Sequence, residues 1–302
     1  MALTINTNLS SLIVQNNLTK STNQLNQAIE RMTTGYKINH AADNAAGYSI
    51  ARNWEAQLGS LDVAADNAAT GADMLATLED NYALVSSHVQ RVRDLTEQAA
   101  NGTYGSQSLA AINSEITARL QEIDRIAANC EFNGQKMMSG SLSSLAIQVG
   151  IDGNADKSQI TLSDNLFKSG AVSALFGSEV GGLSNATIAE VAKRCSGYDV
   201  ANHKKTTADA EKPTAMLSVI DNVINEISSR VTTLGAAQNR IESAIESIGV
   251  QTENITSSLS TLRDADVAQE SSNYIKAQIL QQASATLLAT ANQTPSIALN
   301  LL

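Results

Sequence analysis

The chain has 302 residues, a formal charge of −10 and 43% apolar residues, but only 3% aromatic residues. Aromatic side chains dominate thick globular cores because each buries a large area, so their scarcity favours thin helical bundles. The acidic balance, with no basic run longer than Lys204-Lys205, argues against a nucleic-acid-binding protein, since neutralisation of phosphates supplies most of that affinity.

Residues 1–46 are predicted to form a helix followed by a connector. Leu18, Leu25 and Met32 recur every seven residues, which places them on one face of a helix that ends at Gly35. The opening residues show neither a charged leader nor an apolar stretch, so we expect no cleaved signal peptide. No window approaches the roughly 18 apolar residues of a membrane span.

Residues 47–165 are predicted to be mostly helical. One long helix runs from about residue 44 to residue 101, where Asn-Gly is a good helix stop, and another from about 108 to 130. Leu145 and Ile147 alternate with other residues, as do Ile160 and Leu162 after a turn-rich stretch. This alternation predicts a β-hairpin.

Residues 166–212 carry several glycines and no helical repeat. We expect small strands and loops there, lying on the surface. Two cysteines, Cys130 and Cys195, lie 65 residues apart. Cys130 continues the apolar face of the third helix, so we interpret it as a core residue, and no disulfide framework is implied.

Residues 213–263 carry the strongest pattern in the chain. Seven large aliphatic residues, from Ile220 to Leu262, recur at intervals of seven, which keeps one apolar face on one side of a long helix and requires a partner helix. Pro213 suits the first position of that helix. In residues 264–302, Asp266 and Gln269 predict the start of a new helix, which we expect to end near Asn292 ahead of Pro295.

The predicted fold is therefore mainly α, with long coiled-coil-like helices paired between the N- and C-terminal segments and a small β-hairpin region. The residues that we expect to form the subunit-packing seam are Leu18, Leu25, Met32, Ile220, Ile227, Leu234, Ile241, Ile248, Ile255, Leu262, Leu280 and Leu287.

Several motifs at both ends of the chain resemble those of bacterial flagellin. They are TGYKIN at 34–39, AADNAAG at 41–47, QRVRDL at 90–95, RLQEIDR at 119–125, QNR at 238–240 and AQILQQA at 277–283. The resemblance covers most of residues 1–165 and 213–302. It implies a filament subunit in which residues 1–33 and 264–302 pair to line an inner tube, while 47–165 and 213–262 form an outer-tube domain. The short segment 166–212 replaces the large outer domain of many family members, and we expect that replacing about 170–208 by a short Gly/Ser link leaves filaments intact.

The resemblance also implies partners. These are further copies of the chain, a flagellar export chaperone, the hook–filament junction proteins and the flagellin-sensing Toll-like receptor of a host. Arg91, Leu95 and Glu115 match the residues with which flagellins contact that receptor. The alternative for this charged surface is a set of ordinary ion pairs within and between helices. We also expect both chain ends to be disordered in the free monomer and to fold during assembly.

Two other classes of protein share some of these features. Some flagellins carry a His-Glu-x-x-His metalloprotease motif, but His40, His88 and His203 stand alone and none precedes a glutamate. We therefore expect no catalysis, metal or cofactor. A filament-cap or hook–filament junction protein has similar terminal helices, but the continuity of the motifs at both ends favours the filament subunit.

Overall fold

The computed structural model describes residues 8–177, 182–183, 186–205 and 212–300, without the side chains of residues 294–300. Most of this chain is helical. The long helices are α1 (Leu9–Thr34), α2 (Ala45–Ala100), α3 (Ser106–Asn129), α7 (Pro213–Arg263) and α8 (Val267–Asn300). Shorter helices are α4 (Ala155–Ser158), α5 (Val172–Leu175) and α6 (Ile188–Ser196). The predicted mainly helical fold is confirmed.

The small strands form antiparallel pairs. β3 (Leu145–Gln148) pairs with β4 (Gln159–Leu162), with Leu145 opposite Leu162 and Ile147 opposite Ile160. The predicted hairpin is therefore confirmed, with α4 in its connecting loop. Two shorter pairs are β1 (Glu131–Phe132) with β2 (Gln135–Lys136), and β5 (Tyr198–Asp199) with β6 (Lys204–Lys205).

The chain divides into two compact units. One contains residues 1–59 and 251–302, and the other contains residues 60–250. In the second unit, the apolar faces of α2, α3 and α7 form a single core. Ile220, Ile227, Leu234 and Ile241 of α7 are all buried there. The seven-residue repeat thus correctly located a helix that needs helical partners, and those partners lie in the same unit.

Residues 166–212 contain the predicted small strands in β5 and β6, but the expectation that the segment lies on the surface without helices is wrong for its described part. Phe167 and Phe176 are fully buried in the core of the second unit. The α6 helix packs on α3, where the Asn113 amide donates to the Ser196 hydroxyl at 2.8 Å in a buried hydrogen bond. A nine-residue helix is too short to give a convincing periodic pattern in the sequence.

Arg230 links α7 to this segment. Its side chain is only 2% exposed, and its Nε donates to Glu226 at 2.9 Å. Its Nη1 donates to the backbone carbonyl of Ser169 at 3.1 Å. A buried guanidinium needs such partners to offset the loss of water, so Arg230 depends on the segment being in place.

The last helix begins as predicted but does not end as predicted. The Asp266 carboxylate accepts the backbone N–H groups of Ala268 and Gln269, at 2.9 and 3.2 Å, and so caps α8. However, α8 continues through Pro295 to Asn300, so the prediction of an end near Asn292 is wrong. A proline inside a helix removes one N–H donor, and the carbonyl affected, that of Ala291, has another donor here in Asn8.

Candidate functional site

The two ends of the chain pair with each other. α1 and α8 pack along their lengths, and polar contacts between them occur at three levels. Arg31 pairs with Glu270 at 3.3 Å, Gln281 donates to Thr22 at 3.2 Å, and Ser11 donates to Asn292 at 2.8 Å. Residue numbers that rise along α1 fall along α8, so the helices are antiparallel and their register is fixed at both ends and in the middle.

The contact line between α1 and α8 consists of small residues. Ser21 and Ala28 of α1 are buried, as are Ala277 and Ser284 of α8. Each pair is spaced by seven residues, so this is a heptad line that sequence reasoning missed. Small side chains allow two helices to approach closely, but they contribute little to a hydrophobic periodicity. The prediction therefore rested on the larger aliphatic residues nearby.

The large aliphatic residues predicted to form the seam at the chain ends lie beside this line. Leu18 and Leu25 are half-buried, whereas Met32, Leu280 and Leu287 are 38%, 42% and 56% exposed. They belong to a larger set of exposed apolar residues on the two helices, namely Leu9, Leu12, Ile13, Ile29, Met32, Val267, Ile275, Ile279, Leu280 and Leu287. Large apolar side chains left exposed along two paired helices are candidates for contact with another protein.

The seam residues of α7 have a different role from the one predicted. Ile220, Ile227, Leu234, Ile241 and Ile248 are buried within their own unit. The hypothesis that they pack between subunits is therefore wrong, because no part of their side chains is left for another copy. Further along α7 the pattern weakens: Ile255 and Leu262 are half-buried.

A cluster around Arg263 joins the connector after α1 to the break between α7 and α8. The Arg263 guanidinium lies 3.9 Å from the centre of the Tyr36 ring and forms an ion pair with Glu55. On the backbone, Lys37 donates to the Arg263 carbonyl at 2.6 Å, and Ala265 donates to the Gly35 carbonyl at 2.8 Å. Gly35 itself takes the left-handed conformation, with φ of 75°, that ends α1.

The connector carries a second small polar network. The Asp43 carboxylate accepts the backbone N–H groups of His40 and Asn39, at 3.0 and 3.2 Å. The hydrogen bond from His40 lowers the pKa of Asp43 below its ordinary value, helped by the bond from Asn39 and opposed by burial. This segment, which lacked any periodic pattern in the sequence, is therefore held by specific local bonds.

The residues predicted to contact a receptor are not equally accessible. Arg91 donates from α2 to Glu115 on α3 at 2.8 Å, and both side chains are more than a third exposed. Leu95 is only 1% exposed and belongs to the core, so the prediction that it contacts a receptor is wrong. At this level of α2, Val92, Leu95, Thr96 and Ala99 are all buried, which is a wider stripe than one partner helix would cover.

The two cysteines are free and buried. Burial raises the pKa of the Cys130 thiol to about 11 and that of the Cys195 thiol to about 12. Among the described residues there is no group of three or more His, Cys, Asp or Glu side chains that could hold a metal ion. The helices of the described residues include none long and apolar enough to cross a membrane.

Comparison with known proteins accounts for both the paired ends and the core. Residues 5–143 match the bacterial flagellin N-terminal helical region, and residues 217–302 match the bacterial flagellin C-terminal helical region. The flagellin of Xenorhabdus nematophila is 35% identical over 312 residues, with all of both chains covered. The chain belongs to the bacterial flagellin family. The flagellin of Bacillus subtilis is similarly related, at 34% identity over 310 residues and 99% of each chain.

Flagellin is the structural subunit of the extracellular flagellar filament that serves motility, and not an enzyme. Among solved structures, a protein provisionally assigned as a flagellar hook-associated protein of Vibrio parahaemolyticus matches with a TM-score of 0.58 and 14% identity. That match covers 74% of this chain and all of the other. At this identity the likeness shows the fold alone, and it is the sequence relatives that distinguish a filament subunit from a junction protein.

Proposed function

We propose that this flagellin joins its filament through the exposed apolar side chains of α1 and α8. The observation that carries the proposal is that the two helices bury small residues against each other and leave large ones exposed. Ile13, Ile279 and Leu287 are 51%, 59% and 56% exposed. Fully burying such a side chain contributes about 1.5–3 kcal/mol, so each of these residues has roughly half of that free energy available for contact with another copy.

The assembly that these contacts support is open-ended. The exposed side chains lie on an antiparallel pair whose own contact line is already filled, so they fit a different surface on the next copy. Contacts between different surfaces build helical filaments when the rotation does not close a ring. Monomers mixed with sheared filament seeds should show sustained growth by light scattering and long tubes by negative-stain microscopy. A closed oligomer of fixed mass would contradict the proposal.

The exposed apolar side chains also explain why α1 and α8 are not stable on their own before other copies of the chain pack against them. In dilute monomer, α1 and α8 have only a thin line of small residues between them, and isolated helices are marginal without packing. We therefore keep the prediction that both ends are disordered in the free monomer and become ordered on incorporation. An export chaperone that covers these apolar residues would suit passage of the chain through the flagellar type III channel. The hook–filament junction proteins would suit the role of first neighbours in the filament.

A role in immune sensing is a second proposal, now restricted to the exposed pair of Arg91 and Glu115. An exposed Arg–carboxylate pair between two helices, in which Nε and Nη2 of Arg91 both donate to Oε1 of Glu115, is a surface that a receptor can read. In a reporter-cell assay with the flagellin-sensing Toll-like receptor, Arg91→Ala should lower potency about tenfold, equivalent to about 1.4 kcal/mol. Equal potency of the variant and the natural chain would remove this role.

A further inference from the structure

The last turns of α8 contain a proline, and the opposite end of the chain supplies the missing hydrogen bond. In an α-helix the N–H of each residue bonds to the carbonyl four residues earlier, so residue 295 would bond to the carbonyl of Ala291. Pro295 has no N–H, yet α8 continues to Asn300. The Nδ2 of Asn8, on the other terminal helix, donates to the Ala291 carbonyl at 2.7 Å.

Asn8 serves both helices with one side chain. Its Oδ1 accepts the backbone N–H of Ser11 at 3.1 Å and so caps the N-terminus of α1. Its amide nitrogen, at the same time, bonds to Ala291 of α8. An adjacent hydrogen bond, from the Ser11 hydroxyl to Asn292 at 2.8 Å, strengthens the same contact. Asparagine is the residue that can do this, because its side chain carries an acceptor and a donor on one planar group.

We propose that Asn8 and Pro295 act as a pair that fixes the register of α1 against α8. Pro295 leaves one carbonyl of α8 open at a single position, and only a donor placed opposite that position closes it. A shift of one helix by one turn would leave the Ala291 carbonyl unbonded and move Ser11 away from Asn292, so the pair disfavours any other register together with the Arg31–Glu270 and Gln281–Thr22 contacts. We call this contact the Asn8 bridge.

The Asn8 bridge makes a prediction that an ordinary cap does not make. Asn8→Asp keeps the acceptor for Ser11, and aspartate caps as well as asparagine does, but the variant loses the donor to Ala291. Pro295→Ala restores an N–H within α8 and makes the donor from Asn8 unnecessary. The effect of Asn8→Asp should therefore be large in the natural chain and small in a chain that also carries Pro295→Ala. Such dependence of one substitution on another is what a double-mutant cycle measures.

The experiment compares four full-length proteins: the natural chain, each single variant and the double variant. Asn16→Asp, on an exposed residue of α1, controls for the added charge. The filament readout, which rests on the proposed function, is the critical concentration for seeded growth. We expect Asn8→Asp to raise it about fivefold, since a hydrogen bond contributes about 1 kcal/mol. Asn16→Asp and Pro295→Ala should leave it nearly unchanged, and the double variant should behave like Pro295→Ala.

A second readout separates failure of the inference from failure of the proposed function. Hydrogen exchange of the amides at 286–293 is measured in assembled material of any form, where the chain ends are expected to be ordered. Faster exchange in Asn8→Asp that Pro295→Ala reverses supports the Asn8 bridge even where the critical concentration for seeded filament growth does not change. Equal effects of Asn8→Asp with and without Pro295→Ala would overturn the Asn8 bridge. Exchange at the unstructured rate in every state of the natural chain would also overturn it.

Discussion

Truncating Leu95 should destabilise the unit of residues 60–250, whereas truncating its neighbour Arg91 should not. Leu95 is 1% exposed within the core, so Leu95→Ala removes a fully buried side chain and leaves a cavity. Such changes cost about 2–5 kcal/mol. Arg91 is about half exposed, and its pair with Glu115 is of a kind worth about 0.2–1 kcal/mol, so Arg91→Ala should be nearly neutral.

The assay is urea and thermal unfolding of the two variants beside the natural chain. In a unit of this size, each kcal/mol lowers the melting temperature by about 2–4 °C, so Leu95→Ala should melt at least about 4 °C lower. Leu84→Ala is the matched control, because Leu84 is a leucine of the same helix that is 52% exposed. Equal melting temperatures of Leu95→Ala and Leu84→Ala would show that Leu95 is not a buried core residue.

Further predictions concern the inserted segment, the thiols and the chain ends. Replacing about 170–208 by a short Gly/Ser link should destabilise the unit of residues 60–250 by more than about 3 kcal/mol, since Phe176 alone is a fully buried aromatic residue; urea unfolding with an unchanged midpoint would contradict this. Burial raises the pKa of both cysteine thiols, and the thiolate is the reactive form. Native protein at pH 8 should therefore resist alkylation, whereas urea-unfolded protein should be alkylated. Rapid alkylation of the native protein would refute this prediction. Removal of residues 1–30 and 270–302 should leave a folded protein that does not elongate filaments, and limited proteolysis should first cut those ends; normal growth of the trimmed chain would count against this.

The long helices could be predicted because their patterns repeat many times. The interval of seven from Ile220 to Leu262 indicates one persistent apolar face, and α7 begins at Pro213 as its chemistry requires. Local turn chemistry was equally informative: Gly35 ends α1, and Asn133 and Gly134, both with positive φ, connect β1 to β2.

The remaining features depend on contacts that a single sequence does not display. α8 passes through Pro295 because a residue 287 positions away supplies a donor, and no local rule anticipates that. Leu95 is buried because it lies within the core that α2, α3 and α7 form together with residues of α6, among them Cys195. The residues Ser21, Ala28, Ala277 and Ser284 are regularly spaced. However, they are too weakly apolar for the sequence pattern to indicate them, rather than the leucines beside them, as the contact line.

The central claim is that the exposed apolar residues of α1 and α8 join one copy of the chain to the next. Ile279, which is 59% exposed, offers the most direct test, with Ile279→Asn as the polar variant and Ile279→Met as the apolar control. Loss of a contact worth about 1 kcal/mol changes an equilibrium constant about fivefold. The measurement is the critical concentration for growth from sheared seeds: Ile279→Asn should raise it at least about fivefold, with unchanged melting of the unit of residues 60–250, and Ile279→Met should leave it near the natural value. Filament growth by Ile279→Asn at the natural critical concentration would contradict the account.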